Sequence, residues 1–280
     1  MAVLLGLASA IVYGAADFAG GLASRRSPAL TVVVVSQAIG TVILLITLAI
    51  LRDPVPGADV FLRGALAGVA AGAGVTLLYR GLSIGQMSVV APITAAGAAC
   101  VPLAVGLARG ERPGVLALFG AAIALVSIVL VSAAPGPAET KPRAGLAPGL
   151  IEAVLAGLGF GLFFIALDGT GPQDGLWPLL GSRSSLVVCV LAALVTRTSL
   201  RPAAGQMPSL LLLGLLDQAA TVLFILATRQ GLLSLVAVLV SLYPASTVLL
   251  ARVVLRERLS RLQLSGVACA AVGVVLIAVG

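Results

Sequence analysis

Apolar runs of about 20 residues alternate with short polar segments along the whole chain. The runs are rich in Leu, Val, Ala and Gly and lack the period-2 alternation of a membrane β-strand. Because a segment in lipid must satisfy its own backbone hydrogen bonds, each run is predicted to be a helix. Ten such helices are predicted: 2–22, 29–51, 60–80, 86–108, 114–134, 148–168, 175–196, 207–227, 232–253 and 260–280.

The composition excludes a soluble fold. Of the 280 residues, 60% are hydrophobic and only 10% are charged, against about a quarter in a soluble domain. The chain cannot cover itself with a polar surface, so its outside must face membrane lipid. The predicted helices and their connections use nearly all residues. We therefore expect an all-α membrane protein of ten transmembrane helices with no sizeable domain outside the membrane.

An internal repeat divides the chain into two halves. A shift of 146 residues aligns the fourth and fifth predicted helices with the ninth and tenth, without a gap. The informative matches are Gly85 with Gly231, Ser88 with Ser234, Glu111-Arg112 with Glu257-Arg258, and Gly120 with Gly266. We predict a first five-helix repeat over residues 1–134, a linker over 135–147 and a second repeat over 148–280.

The number of helices in each half predicts an inverted topology. Five is odd, so two tandem halves must cross the membrane in opposite senses, as the inverted repeats of secondary transporters do. The loops after odd-numbered helices contain eleven Lys and Arg residues, and the loops after even-numbered helices contain five. Since cytoplasmic loops are enriched in Lys and Arg, we expect both termini outside.

The residues that the chain lacks exclude several chemistries. It has no His, and its single Lys, Lys141, is not part of a phosphate-binding loop, so His-dependent catalysis and ATP-driven pumping have no basis. Its three cysteines lie scattered inside apolar runs. The net charge of +7 comes from Arg residues at helix ends, which does not indicate a nucleic-acid surface. We expect no enzymatic activity, no cofactor, no metal and no nucleic-acid partner.

Polar residues and prolines within the helices are the candidates for a substrate site, because interior charges and interrupted helices usually line a pathway. Pro92 and Pro102 fall in the fourth helix and Pro244 in its repeat partner, where each frees a carbonyl or produces a packing kink. The candidate substrate-binding residues are Tyr13, Asp17, Gln37, Tyr79, Pro92, Thr94, Arg183, Asp217, Gln218, Thr221, Ser241, Tyr243 and Pro244.

Some of these candidates have a second interpretation. Asp217, near the middle of the eighth helix, can serve substrate or proton coupling, or form a structural pair with Arg183. Asp17 can line a cavity or lie at the membrane interface. Tyr79 can anchor the third helix at the headgroup level instead of contacting a ligand.

Two further patterns indicate structure. The repeated Glu111-Arg112 and Glu257-Arg258 pairs lie in turns, where we expect a capping element that sets the junction with the following helix. Glycines four residues apart predict close helix packing within a monomer or at a homodimer face: Gly64, Gly68 and Gly72 in the third helix, and Gly157 and Gly161 in the sixth.

The second repeat resembles the EamA domain of the drug/metabolite transporter superfamily. The resemblance rests on Gly231-x-x-Ser-x-Val-Ala, Tyr243-Pro244, Arg256-Glu257-Arg258-Leu259 and Gly266. The first repeat is similar from Gly85 to Gly120 but has Pro113 in place of Leu259, and Gly97-Ala98 in place of Tyr243-Pro244.

The resemblance implies ten helices around a central cavity, with the fifth and tenth peripheral, and transport of amino acids, other metabolites or drugs. Among the branches of the family, the chain most resembles the YddG-type bacterial amino-acid exporters. We therefore expect a secondary transporter in the bacterial inner membrane that exports small metabolites, with amino acids as the first choice, by alternating access. An ion or proton is the expected coupling partner.

Two other classes compete with this hypothesis. A broad-specificity drug or lipophilic-cation efflux pump would use an apolar cavity with an acid and aromatic faces, although the aromatic content is only 4%. An intramembrane enzyme or a structural subunit of a larger complex is the third class, and the absence of His leaves it little chemistry.

Overall fold

The computed structural model describes residues 1–84, 87–132, 148–254 and 260–280, and the regular elements within them are helices. In chain order they are α1 Ala2–Ser24, α2 Ala29–Leu51, α3 Ala58–Ile84, α4 Met87–Ala108, α5 Val115–Ser132, α6 Leu150–Asp168, α7 Trp177–Ser182, α8 Ser184–Val195, α9 Met207–Thr228, α10 Leu233–Val240, α11 Tyr243–Val254 and α12 Arg261–Val279. A short 3-10 helix, Pro172–Asp174, precedes α7. The predicted linker and the Glu257-Arg258 turn lie outside the described residues.

These helices give the ten crossings that the hydrophobic pattern predicts. Seven segments of the described chain are long and apolar enough to span a membrane, and three shorter apolar helices complete the set. The seventh crossing consists of α7 and α8, and the ninth consists of α10 and α11. The fold class predicted from the sequence is therefore confirmed, with two crossings divided where a continuous helix was expected.

The two divisions fall near mid-membrane, both in the second half. The seventh crossing is divided at Arg183, and the ninth is divided at Ser241 and Leu242. Pro244 lies in the first turn of α11, where a missing N–H is tolerated. Because proline cannot donate, the carbonyl of Val240 has no helical donor four residues ahead.

The fourth crossing differs from its repeat partner. α4 is continuous from Met87 to Ala108 and passes through both Pro92 and Pro102. The unbroken helix favours the packing-kink interpretation of these prolines, because neighbouring helices in a membrane bundle can satisfy the backbone groups that a proline frees. Of these two repeat partners, as far as the structure describes them, the ninth crossing offers open backbone at mid-membrane and the fourth does not.

Glycine contacts join the two halves along the bundle. A Cβ atom at Gly97 of α4 would lie 3.0 Å from Cα of Gly157 of α6, and one at Gly120 of α5 would lie 2.7 Å from the Gly273 carbonyl of α12. Gly64 of α3 similarly abuts Pro178 of α7. Each contact pairs a first-half helix with a second-half helix, so the predicted small-residue packing operates within one chain.

The connections of the helices fall at two ends of the bundle. The first, which we call the Arg25 end, contains residues 25–28 and 196–206. There Ser27 Oγ donates to Gln206 Oε1 at 2.5 Å, and Thr31 Oγ1 donates to the Ser199 carbonyl at 2.5 Å. The opposite end, which we call the Glu111 end, contains residues 52–57, 109–114, 169–176 and 229–232.

The turn that contains Glu111 caps a different helix from the one expected. Its two carboxylate oxygens accept from the backbone N–H of Leu233 at 2.9 Å and of Ser234 at 3.0 Å. The capping function is therefore confirmed, but the capped helix is α10 of the other half. The expected target, the helix that follows in the chain, was wrong because capping depends on proximity in space.

The charges at the Arg25 end predict the orientation. Arg25, Arg26, Arg197 and Arg201 are all exposed there, and neither connection contains an acid. Since basic loops stay in the cytoplasm, we expect this end to be cytoplasmic.

In intact cells, with Cys100, Cys189 and Cys269 replaced by Ala, a membrane-impermeant maleimide should label Val55→Cys at the Glu111 end. Arg26→Cys should be labelled only after permeabilisation, and the reverse pattern would contradict the assignment.

Candidate functional site

Hydrogen-bonded side chains from α1 and α9 meet at the centre of the membrane. Tyr13 lies at the midpoint of α1, and Asp217 lies at the midpoint of α9. Thr221 Oγ1 donates to the Asp217 carbonyl at 2.9 Å, and the Tyr13 hydroxyl lies 2.8 Å from Thr221 Oγ1. Because a hydroxyl has one proton, Tyr13 is the donor to Thr221. The pair holds the phenol ring in a fixed place against α9.

Arg183 joins this centre from the break between α7 and α8. Its Nη1 donates to Gln37 Oε1 of α2 at 2.5 Å, and its Nη2 donates to Gln218 Oε1 of α9. The guanidinium therefore bridges both halves of the chain. Its Nε and the Gln218 Nε2 are buried and have no hydrogen-bond partner among the described residues. The two side chains, joined by a hydrogen bond, thus each keep a donor without an acceptor among the described residues.

Two carboxylates share this centre. Asp17 of α1 interacts electrostatically with Asp217, and Asp217 also interacts with Arg183. Within the described residues, the ion pairs shorter than 4.0 Å lie elsewhere, so Arg183 and Asp217 form no direct pair. The structural pair considered from the sequence is therefore replaced by a longer-range attraction, which leaves the Asp217 carboxylate available for another cation.

Tyr243 completes the group. It begins α11 directly after the break in the ninth crossing, and it interacts electrostatically with Asp17. We call the following set the interior polar cluster: Tyr13, Asp17, Gln37, Arg183, Asp217, Gln218, Thr221 and Tyr243. It brings together eight of the thirteen candidates predicted from the sequence, from five crossings of the bundle.

The remaining candidates do not join the cluster through any described side-chain contact. Thr94 is buried and donates to the Ala153 carbonyl at 3.2 Å, which fixes α4 to α6. Ser241 is fully buried at the break after α10, and its hydroxyl has no partner among the described residues. Tyr79 and Pro92 belong to α3 and α4, but their side chains lie outside the described part of the structure.

The side of α1 that packs against α11 becomes exposed toward the Arg25 end, and we call this exposed stretch, Asp17 to Gly21, the crevice. Ala10, Gly14, Asp17 and Gly21 form one stripe along α1 because they are four, three and four residues apart. The first two are buried against α11, whereas Asp17 and Gly21 are exposed. A Cβ at Gly21 would meet no atom within 4 Å. α1 and α11 therefore separate beyond mid-membrane and leave Asp17 accessible, about 10 Å from the end of α1.

Two hydroxyl residues where α1 and α11 are in contact were missed from the sequence. Ser246 Oγ donates to the Ala10 carbonyl at 2.9 Å, and Thr247 Oγ1 donates to the Gly14 carbonyl at 3.1 Å. The available signal was their position one turn after Tyr243-Pro244, in an otherwise apolar helix. These bonds fasten α11 to α1 at the level of the cluster.

The cluster offers charged and hydrogen-bonding groups but no metal-binding set. Within the described residues, no group of three His, Cys, Asp or Glu side chains could hold a metal ion. The arrangement presents a guanidinium with amide donors beside two carboxylates and two phenols. It can therefore hold a small molecule that carries groups of both charges.

Comparisons with known proteins agree with this architecture. The model of the EamA-like transporter family matches residues 1–133 and 147–279. A solved structure described as "Crystal structure of protein" superposes over 99% of this chain and 98% of its own, with a TM-score of 0.82 and 15% identity. Identity that low shows the shared fold alone. No curated protein sequence matches the chain.

Two glycines of α1, one packed against α11 and one not, give a matched pair of variants. A Cβ at Gly14 would lie 2.7 Å from the Tyr243 carbonyl, so Gly14→Ala should lower the free energy of unfolding by about 1–3 kcal/mol through overpacking. Gly21→Ala has open space and should leave stability unchanged or slightly raised. Thermal unfolding in detergent micelles measures both. Equal losses in the two variants would show that α1 and α11 do not separate as described.

Proposed function

Because the chain belongs to the EamA-like transporter family, whose members are membrane transporters of the drug/metabolite transporter superfamily, we propose that it exports amino acids by alternating access. The observation that carries this proposal is the interior polar cluster, which places Arg183, Asp17 and Asp217 together at mid-membrane. A charge at the centre of a helix in lipid costs about 2.5–3.5 kcal/mol, so three interior charges indicate a pathway.

The chemistry of the cluster suits a zwitterion. Arg183 Nε and Gln218 Nε2 are donors without acceptors, and a substrate carboxylate would supply what they lack. Among the residues that the structure describes, Asp17 and Asp217 have no direct basic partner within 4.0 Å, and a substrate ammonium group would supply one. The two acids can also carry a proton, which makes them the sites at which a coupling proton would act.

The crevice suits the direction of transport. It reaches Asp17 from the Arg25 end, while Gly14, Ser246 and Thr247 hold α1 and α11 together at the level of the cluster. With the Arg25 end in the cytoplasm of a bacterial cell, this arrangement accepts substrate from inside. Export then requires the bundle to close around the substrate at this end and to open at the Glu111 end.

Transport by purified protein in liposomes tests the proposal. Arg183→Gln removes the guanidinium and should lower uptake of radiolabelled amino acids into these liposomes about ten- to a hundredfold, the loss that a charged hydrogen bond of about 1.5–3 kcal/mol predicts. Asp217→Asn should give a similar loss. Arg26→Gln, which removes an exposed arginine outside the cluster, is the matched control and should transport normally.

Unfolding temperatures of the same variants must be measured in parallel, so that a loss of folded protein is not counted as a loss of transport. Full activity of folded Arg183→Gln and Asp217→Asn proteins would remove the cluster from the substrate path. The family assignment would be unaffected by that result.

Export of lipophilic cations is the second candidate, favoured by the electrostatic contact of Asp17 with both Tyr13 and Tyr243. An acid with aromatic neighbours can bind a cation. The nearby positive charge of Arg183 argues against it.

In a pump-deficient host, a lipophilic-cation pump would protect against cationic dyes and would keep that activity in Arg183→Gln. An amino-acid exporter would protect against toxic amino-acid analogues and would lose that activity in the same variant.

A further inference from the structure

We propose that Glu111 is the latch that holds the Glu111 end closed during the transport cycle. This inference rests on the proposed alternating access. It assigns to one carboxylate the control of which end of the bundle is open.

The latch contact crosses between the halves. Glu111 belongs to the turn between α4 and α5, and its two oxygens accept from Leu233 and Ser234 at the start of α10. The first N–H groups of a helix have no partner within it and carry partial positive charge. One carboxylate of the first half thus satisfies two of these groups in the second half, and it attracts the whole helix end.

A glycine of α4 leaves room for the contact between Glu111 and the start of α10. A Cβ at Gly106 of α4 would lie 2.5 Å from Glu111 Oε2 and 3.1 Å from Ser234 Cβ. A side chain at this position would displace the carboxylate or the start of α10. The side chain of Glu111 is therefore enclosed between two helices that belong to different halves.

The neighbouring contact at this end is also polar and also joins the halves. Arg109 Nη1, at the end of α4, lies 3.6 Å from Asp168 Oδ2, at the end of α6. Hydrogen bonds and exposed ion pairs can break and re-form with access to water, whereas the Gly97–Gly157 contact at mid-membrane depends on tight apolar packing. The Glu111 end is therefore held closed by polar contacts that can break and re-form, as a gate requires.

Ser234 supplies an independent observation. Its side chain is fully buried beside Glu111, and its hydroxyl has no hydrogen-bond partner among the described residues. A buried hydroxyl without a partner is unfavourable, and water that enters when this end opens would satisfy it. The Glu111 carboxylate thus stabilises the closed state, whereas the buried Ser234 hydroxyl favours opening to water.

The location of the latch relative to the crevice determines its effect. The crevice opens at the Arg25 end, and Glu111 closes the opposite end. In alternating access the two ends cannot be open together, so weakening the latch should shift the population toward opening at the Glu111 end. The population that is open at the Arg25 end should fall by the same amount.

Two reporter cysteines can follow both ends in full-length protein in nanodiscs, with Cys100, Cys189 and Cys269 replaced by Ala. Ser234→Cys is buried at the latch and Gly21→Cys stands in the open crevice. Labelling by a polar maleimide should be slow at Ser234→Cys and fast at Gly21→Cys. Adding Glu111→Ala should raise the first rate about five- to tenfold, as expected from loss of a helix cap, and lower the second. Glu111→Gln keeps one acceptor oxygen and should give an intermediate shift.

Glu152→Gln is the matched control. Glu152 Oε1 lies 3.5 Å from Arg80 Nε, so this carboxylate also joins the halves, but at the Arg25 end. Its replacement should not raise labelling of Ser234→Cys. A rise at both reporters in the Glu111 variants would show a loosened fold, and no change at either would show a static cap; each result overturns the proposal.

The labelling readout is independent of transport. Amino-acid transport by the native protein without any change of labelling in the Glu111 variants would refute the latch and leave the proposed function intact. Opposite shifts at the two reporters in a protein that does not transport amino acids would support the latch and refute the substrate assignment.

Discussion

The structure depends on one constraint: in a hydrocarbon environment, each polar group must find its partner inside the protein. Ten helices satisfy their backbones in this way, and the few interior side chains with polar groups find partners on other helices. Tyr13 binds Thr221, and Arg183 binds Gln37 and Gln218. The same constraint makes the exceptions informative. The donors without acceptors at Arg183 and Gln218 lie where the proposed substrate would bind.

The repeat gives the two halves the same architecture but different interiors. The second half carries both broken crossings, and its breaks supply Arg183 and the start of α11. The first half contributes continuous helices, with Asp17 and Gln37 on them. Close glycine contacts between α4 and α6 and between α5 and α12 hold the halves together at points that need not move. Motion is then restricted to the places held by polar contacts or by none.

Those places lie at opposite ends of the bundle. At one end, α1 and α11 separate beyond Gly14 and expose Asp17. At the other, Glu111 and the Arg109–Asp168 pair connect the halves through charges. A bundle that is open on one side of a central polar cluster and closed by breakable contacts on the other is what the proposed alternating-access cycle requires of one of its states. The asymmetry between the ends is therefore as informative as the symmetry between the halves.

The sequence by itself determined the ten crossings, the two repeats and the family, because helix length, charge position and the 146-residue offset are properties of the chain alone. It also named the cluster residues, since polar groups are rare within apolar runs. Only the tertiary structure decided that Thr94 binds α6 and that Glu111 caps a helix of the other half. In a membrane helix, lipid-facing and helix-facing positions are both apolar, so the pattern does not reveal which face meets which neighbour. Those choices depend on close packing at glycines such as Gly14 and Gly97, which contacts between distant parts of the chain determine.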